Sequence, residues 1–252
     1  MDIQKHTTHG DAWQSLRQFT AARIALGSTG VAIPLKEVLQ FRLAHAHARD
    51  AVYSELNENN LIAGLQQMQL PFYLLHSKAQ NRELYLQHPG WGRQLNEATA
   101  QQLRDVDAGS DVAVIIADGL SATAVNDHAL PLLQLLVSLL QQSDFSLAPV
   151  CIVQQARVAI GDEVGMLLKA KFTVVLIGER PGLSSPDSMG AYLTYNPAIG
   201  LTDESRNCIS NIRPEGLGYK IAAEKIYYLI KESFRLQLSG VMLKDNAGLL
   251  GE

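Results

Sequence analysis

A chain of 252 residues has room for one large domain or two modest ones. Hydrophobic residues make up 47% and charged residues only 18%, which excludes wholesale disorder and leaves a weakly charged surface suited to burial against a partner. Lys and Arg number 21 against 25 Asp and Glu, a net charge of −4 without basic clusters, so the chain is a poor candidate for gripping nucleic acid by its phosphates.

The start, MDIQKHTTHGDAW, lacks the apolar centre of a signal peptide. The most apolar stretch, residues 130–140, is interrupted by Gln134 and Ser138 and reads as too short and mixed to span a bilayer. Cys151 and Cys208, the two cysteines, read as reduced thiols. A soluble cytoplasmic chain, with neither membrane nor nucleic acid as partner, is the expectation.

From Asp11 onward, Trp13, Leu16, Phe19, Ala21 and Ile24 fall near helical spacing, and Gly27 ends the run. Pro34 suits the first turn of a second helix. That helix carries Leu35, Val38, Leu39, Leu43 and Ala46 on one face and is expected to continue through Val52 and Leu56, with a break at Asn57-Glu58-Asn59-Asn60. No alternating strand pattern precedes about Phe72, so residues 1–70 read as a small helical domain.

Residues 71–252 change character. Short apolar runs at 112–117, 149–153, 172–177, 190–195 and 208–212 read as strands. Helices are expected around the Leu132, Leu136, Leu139 and Leu140 stripe, near 161–169 and over 219–238. Alternation of this kind predicts a Rossmann-like, doubly wound α/β domain with a mostly parallel sheet. Such sheets bind ligands beyond the carboxyl ends of their strands. The turns there are 118–121, 154–158 and 178–182.

Common chemical motifs are missing. No G-x-G-x-x-G or P-loop lysine is present, and Gly216-Leu217-Gly218 reads as a helix entry turn. His45 and His47 are two apart, pointing to different sides of a helix. His6 and His9 lie in the terminus, and no histidine belongs to a metal-ligand set. Ser121, Ser184 and Ser185 lack the G-x-S-x-G context, and Cys208 reads as a small buried apolar residue. What remains is Gly178-Glu179-Arg180-Pro181-Gly182-Leu183, directly after an apolar strand. Glu179 is either half of a surface turn with Arg180 or a carboxylate that accepts hydrogen bonds from a ligand's N–H groups. Asp118 reads as a helix cap or a site residue, and Arg206 and Arg213 as plain surface charges or ligands for a phosphate.

The runs IADGLSATAV (116–125), VLIGERPGL (175–183) and RNCISNI (206–212) resemble those of the small, or light, subunit of ethanolamine ammonia-lyase. TAARIALGSTG (20–30), YLQHPGWGRQL (85–95) and RVAIGDEVG (157–165) do so as well, and the order agrees from about Ala12 to Met242. The resemblance implies an adenosylcobalamin enzyme that converts ethanolamine to acetaldehyde and ammonia through radicals. It implies a large (heavy) subunit that binds ethanolamine and carries most catalytic groups. It also implies a small subunit that caps the cobalamin, in a trimer of heterotetramers with six copies of each chain. Motif by motif, the implied cofactor-binding positions are Val158, Glu179 and Cys208. Many relatives begin with a longer, variable extension, whereas this sequence starts nearly at its helical region, so cytoplasmic residence with or without packaging in a bacterial microcompartment is expected. Asp127-His128 does not fit the D-x-H-x-x-G pattern of cobalamin proteins that replace the lower base with a histidine, so the cofactor is expected to keep its own benzimidazole. Two rivals are a free-standing α/β enzyme acting on a nucleotide-like substrate, which rests on fold analogy alone, and a purely structural scaffold subunit.

Overall fold

A computed structural model describes residues 8–106 and 109–245. His6 lies outside the described residues. Two short strands, β1 (Thr8–His9) and β2 (Ser28–Thr29), pair antiparallel. Between them, the helix expected from Asp11 is a single 3₁₀ stretch, Gln14–Phe19, followed by irregular chain. Its apolar side chains find no core within this chain: Trp13 is 68% and Phe19 78% exposed. A short helix has little stability without a buried face.

Helix α1 (Leu35–Tyr53) follows Pro34 as the sequence suggests, but stops short of Leu56. The Ser54 hydroxyl donates to the Ala51 carbonyl at 2.7 Å there. The asparagine-rich break is in fact a helix start. The Asn57 side chain accepts from the Asn60 N–H at 3.1 Å and caps α2 (Glu58–Gln67). Leu61 and Leu65 on α2 are fully buried in the larger of two cores.

The remaining elements are β3 (Phe72–His76), α3 (Arg82–Gln87), α4 (Glu97–Arg104), β4 (Val112–Ala117), α5 (Ala122–Gln141), β5 (Val150–Gln154), α6 (Ile160–Leu167), β6 (Phe172–Gly178), β7 (Met189–Tyr195), β8 (Asn207–Ile212) and α7 (Tyr219–Leu236). The fold is mixed α/β around one six-stranded sheet of order β3-β5-β4-β6-β7-β8. Pairings among β3, β5, β4 and β6 are parallel, whereas β7 runs antiparallel to both β6 and β8.

Strand β4 shows how the layers are built. Its residues alternate between two cores. Val112, Val114 and Ile116 pack with α2, α5 and α7, while Ala113, Ile115 and Ala117 pack with α4 and α6. Burial of one such Val or Ile side chain contributes roughly 1.5–3 kcal/mol, so this continuous apolar run is stable only with both faces covered. Helix α5 is longer than the apolar stretch read from the sequence, and by length and composition alone it could cross a membrane. Its Val125, Leu132, Leu133, Leu136 and Leu140 instead fill the larger core. The β4–α5–β5 crossover covers one face and the β5–α6–β6 crossover the other. The turns that leave β4, β5 and β6 therefore gather at one rim.

Candidate functional site

A cavity of about 850 Å³ opens at that rim. Gly119 and Leu120 line it after β4, Arg157 and Val158 after β5, and Gly178, Glu179 and Arg180 after β6. These are the three turns the sequence marks. Thr20, Ala21 and Ala22 of the N-terminal segment form another part of the wall. Arg23 ties that segment to the rim, donating to the Leu183 carbonyl at 3.3 Å.

Backbone contact holds the β4 and β6 turns together. The Leu120 N–H donates to the Gly178 carbonyl at 2.9 Å. Gly119 has φ +59°, and a Cβ on it would stand 2.2 Å from the Gly178 oxygen. No L side chain is tolerated at that approach. The Ser121 side chain accepts from the Ala124 N–H at 3.3 Å, so Ser121 caps α5, not Asp118.

Asp118 instead spans to the next turn. Its buried carboxylate accepts from the N–H groups of Gln155 at 2.8 Å and Ala156 at 2.9 Å. The Arg82 guanidinium lies 3.8 Å away, donates to the Gly119 carbonyl at 2.8 Å, and sits over the Tyr85 ring at 4.6 Å. Burial pushes the Asp118 carboxyl up from its ordinary range, against the pull of these N–H bonds and of Arg82. Gln155, at φ +52°, is held in the left-handed region by this clamp. The clamp sets the path of the chain into Arg157 and Val158. Arg157 also stacks on the Tyr85 ring, at 4.2 Å.

Glu179 sits in the cavity wall. Its Oε2 accepts from the Ser188 hydroxyl and, at 3.1 Å, from the Asn211 N–H. Its own N–H donates to the Ser188 carbonyl at 2.9 Å. Among the described residues, Oε1 has no hydrogen-bond donor. Gly190 makes room for this carboxylate, because a Cβ there would lie 3.0 Å from Oε1. Glu179 is therefore no surface pair with Arg180; it is a fixed acceptor with one oxygen to spare.

Cys208 is exposed on β8, not the buried apolar residue expected, because the edge strand β8 leaves that face uncovered. It lies outside the cavity lining but opposite Tyr192 of β7, which does line it. Burial pushes the thiol up, the neighbouring Tyr192 hydroxyl pulls against it, and the Glu179 charge adds to the rise. Neither cysteine forms a disulfide, and burial pushes Cys151 up to about 12.

Arg206 is neither of the things its sequence position suggested. It is buried, and its guanidinium grips the Asp162 carboxylate at 2.6 and 2.7 Å and the Thr194 hydroxyl at 3.1 Å. Bidentate pairing of this kind fixes β8 against α6 and β7. Arg213 does line the cavity, but Asp187 neutralises it at 2.9 Å. His128 is buried, bonded through Nδ1 to the Tyr219 hydroxyl at 2.9 Å, with Nε2 3.6 Å from Asp187. No cluster able to hold a metal ion occurs among the described residues. Tyr192, Arg157, Ser188 and Asn211 went unrecognised in the sequence, because strand pairing and loop closure, not a local motif, bring them to this rim.

The family model for the ethanolamine ammonia-lyase light chain (EutC) matches residues 10–244. The chain is 55% identical over 241 residues to an ethanolamine ammonia-lyase small subunit of Xanthomonas campestris pv. campestris, covering 94% of this chain and 89% of that one. A small subunit from Azotobacter vinelandii is 54% identical over 239 residues (93% and 88% covered), and one from Pseudomonas aeruginosa 53% over 239 residues (93% and 88%). With the match running from the N-terminal segment through α7, the chain belongs to the ethanolamine ammonia-lyase light-chain family.

Proposed function

We propose that this chain is the cofactor-capping small subunit of an adenosylcobalamin-dependent lyase that converts ethanolamine to acetaldehyde and ammonia. In this reading a large subunit binds ethanolamine and supplies most catalytic groups, six copies of each chain form a trimer of heterotetramers, and the complex works in the cytoplasm or in a microcompartment there. One observation carries it: Val158 and Glu179 share the wall of one open cavity, and Glu179 offers an unused acceptor oxygen.

The residues present suit a corrinoid. The rim of the ring carries amide N–H donors, and Glu179 is an acceptor held in place before any ligand arrives. Val158 offers apolar contact, while Cys208 lies opposite Tyr192 on the neighbouring strand and, with its thiol raised, takes no part in the chemistry. Among the described residues no histidine lines the cavity, and His128 is engaged with the Tyr219 hydroxyl. When bound, adenosylcobalamin supplies a cobalt–carbon bond whose homolysis starts radical chemistry. This chain's task is to orient the ring and shield its exposed side from water.

Support for an obligatory partner comes from the surface. Trp13, Phe19, Val31, Leu35, Leu43 and Tyr53 are all exposed. Apolar exposure concentrated in one region marks an interaction surface, and Thr20 to Ala22 join it to the cavity mouth. Co-expression with the large subunit should give ethanolamine turnover that requires adenosylcobalamin, and the isolated chain should be inactive. Turnover by the isolated chain would overturn the division of labour.

A further inference from the structure

The cavity is basic although the chain is acidic overall. Three arginines line it, Arg157, Arg180 and Arg213, with Glu179 as the one carboxylate among the lining residues. Glu179 already serves Ser188 and Asn211, and Arg213 already serves Asp187. Arg157 and Arg180 are different: neither pairs with a carboxylate among the described residues. The Arg157 guanidinium donates one long bond, from Nη2 to the Tyr85 carbonyl at 3.5 Å, and its buried Nε has no acceptor among the described residues. Its guanidinium stacks on the Tyr85 ring, 4.2 Å from the ring centre. Arg180 makes no hydrogen bond or ion pair among the described residues. Ser184 and Ser185 line the same cavity.

Arg157 is half-buried and Arg180 exposed, and both line the one cavity, where two unpaired like charges repel each other. An anion between them relieves the repulsion and satisfies the unused donors. The planar donor fork of arginine matches the oxygens of a phosphate.

We infer that Arg157 and Arg180, with the hydroxyls of Ser184 and Ser185, form an anion subsite for a phosphodiester. The inference rests on the cobalamin-capping reading and deepens it: the phosphate in the nucleotide loop of the cofactor occupies this subsite, while Glu179 takes the amide rim. The two halves are chemically distinct, one acidic acceptor and one pair of basic donors, so a corrinoid binds in only one sense.

The test compares three corrinoids by equilibrium dialysis against the complex with the large subunit: cyanocobalamin, cobinamide phosphate and cobinamide. The last lacks the phosphate, and cobinamide phosphate lacks the base. Wild type should bind the two phosphate-bearing compounds more tightly than cobinamide. Arg180→Gln and Arg157→Gln should each weaken both of those by about tenfold to a hundredfold and leave cobinamide unchanged, which doubles as the check that each variant is folded. Equal weakening of all three, or of none, overturns the anion subsite while leaving the capping reading standing. A wild-type complex that binds none of the three overturns both.

Discussion

The Asp118 carboxylate accepts the main-chain N–H of Ala156 at 2.9 Å across 38 positions of sequence, and so bolts the turn after β4 to the turn after β5. Removing it leaves the Gln155 and Ala156 N–H groups and the Arg82 guanidinium without their common partner. Asp118→Ala should cost about 3 kcal/mol of stability in urea unfolding. Asp118→Asn should recover part of that loss, because its amide oxygen can still accept one bond. Unfolding curves that coincide with wild type would remove the clamp from the account.

Glu179→Ala should raise the apparent KM for adenosylcobalamin about tenfold to a hundredfold, the equivalent of one charge-assisted hydrogen bond, with a smaller fall in kcat. Steady-state assays of the complex at several cofactor concentrations separate the two parameters. An unchanged KM counts against the assigned site.

Gly190→Ala should act through the same carboxylate. Its new Cβ would lie 3.0 Å from Oε1, 3.2 Å from Cγ and 3.3 Å from Cδ of Glu179, a side chain pinned by Ser188 and Asn211. Cofactor affinity should fall severalfold. In a double-mutant cycle the substitution should add almost nothing once Glu179 is already alanine. Additive losses would place its effect elsewhere.

Burial holds the Cys208 thiol above its ordinary value and the Glu179 charge reinforces this, so thiolate is scarce at neutral pH. Iodoacetamide should label Cys208 slowly at pH 7 and faster as the pH rises past the ordinary thiol range. Glu179→Gln should speed labelling at a fixed pH, and the buried Cys151 should resist labelling throughout. Peptide mass spectrometry reads each site separately, and fast labelling of Cys208 at pH 7 contradicts the electrostatics.

Burial raises the Asp111 carboxyl, but the Ser146 N–H and hydroxyl and the Lys171 ammonium outweigh it and hold it below the usual carboxylate range. A carboxyl depressed on folding stabilises the native state above its unfolded value, and that contribution disappears as the pH falls through the folded value. Asp111→Asn should therefore cost about 1 kcal/mol at pH 7, the salt-screened ion pair adding little to the hydrogen bonds. The difference from wild type should vanish in acid. A constant difference from pH 7 down to pH 2 would show that charge plays no part.

Strands β4 and β6 were legible because both faces are buried and the sequence reads as an unbroken, β-branched run. Strand β3 was not: as an edge strand it is largely half-buried, and its FYLLH carries neither alternation nor β-branched residues. The N-terminal helix was overread because apolar spacing there serves exposed side chains and no core. Val158 and Glu179 could be placed at one rim from topology alone. The partners of Asp118 and Arg206 could not, because those partners lie 38 and 44 residues away in sequence and only the finished fold brings them together.

The hairpin direction of β6 and β7 carries a consequence of its own. Glu179 and Ser188 are the two ends of a chain excursion, joined to each other by main-chain and side-chain bonds. Closing a somewhat longer loop between fixed ends costs little extra entropy. Changes in length between residues 180 and 187 can thus reshape this rim while the acceptor carboxylate and the sheet stay as they are.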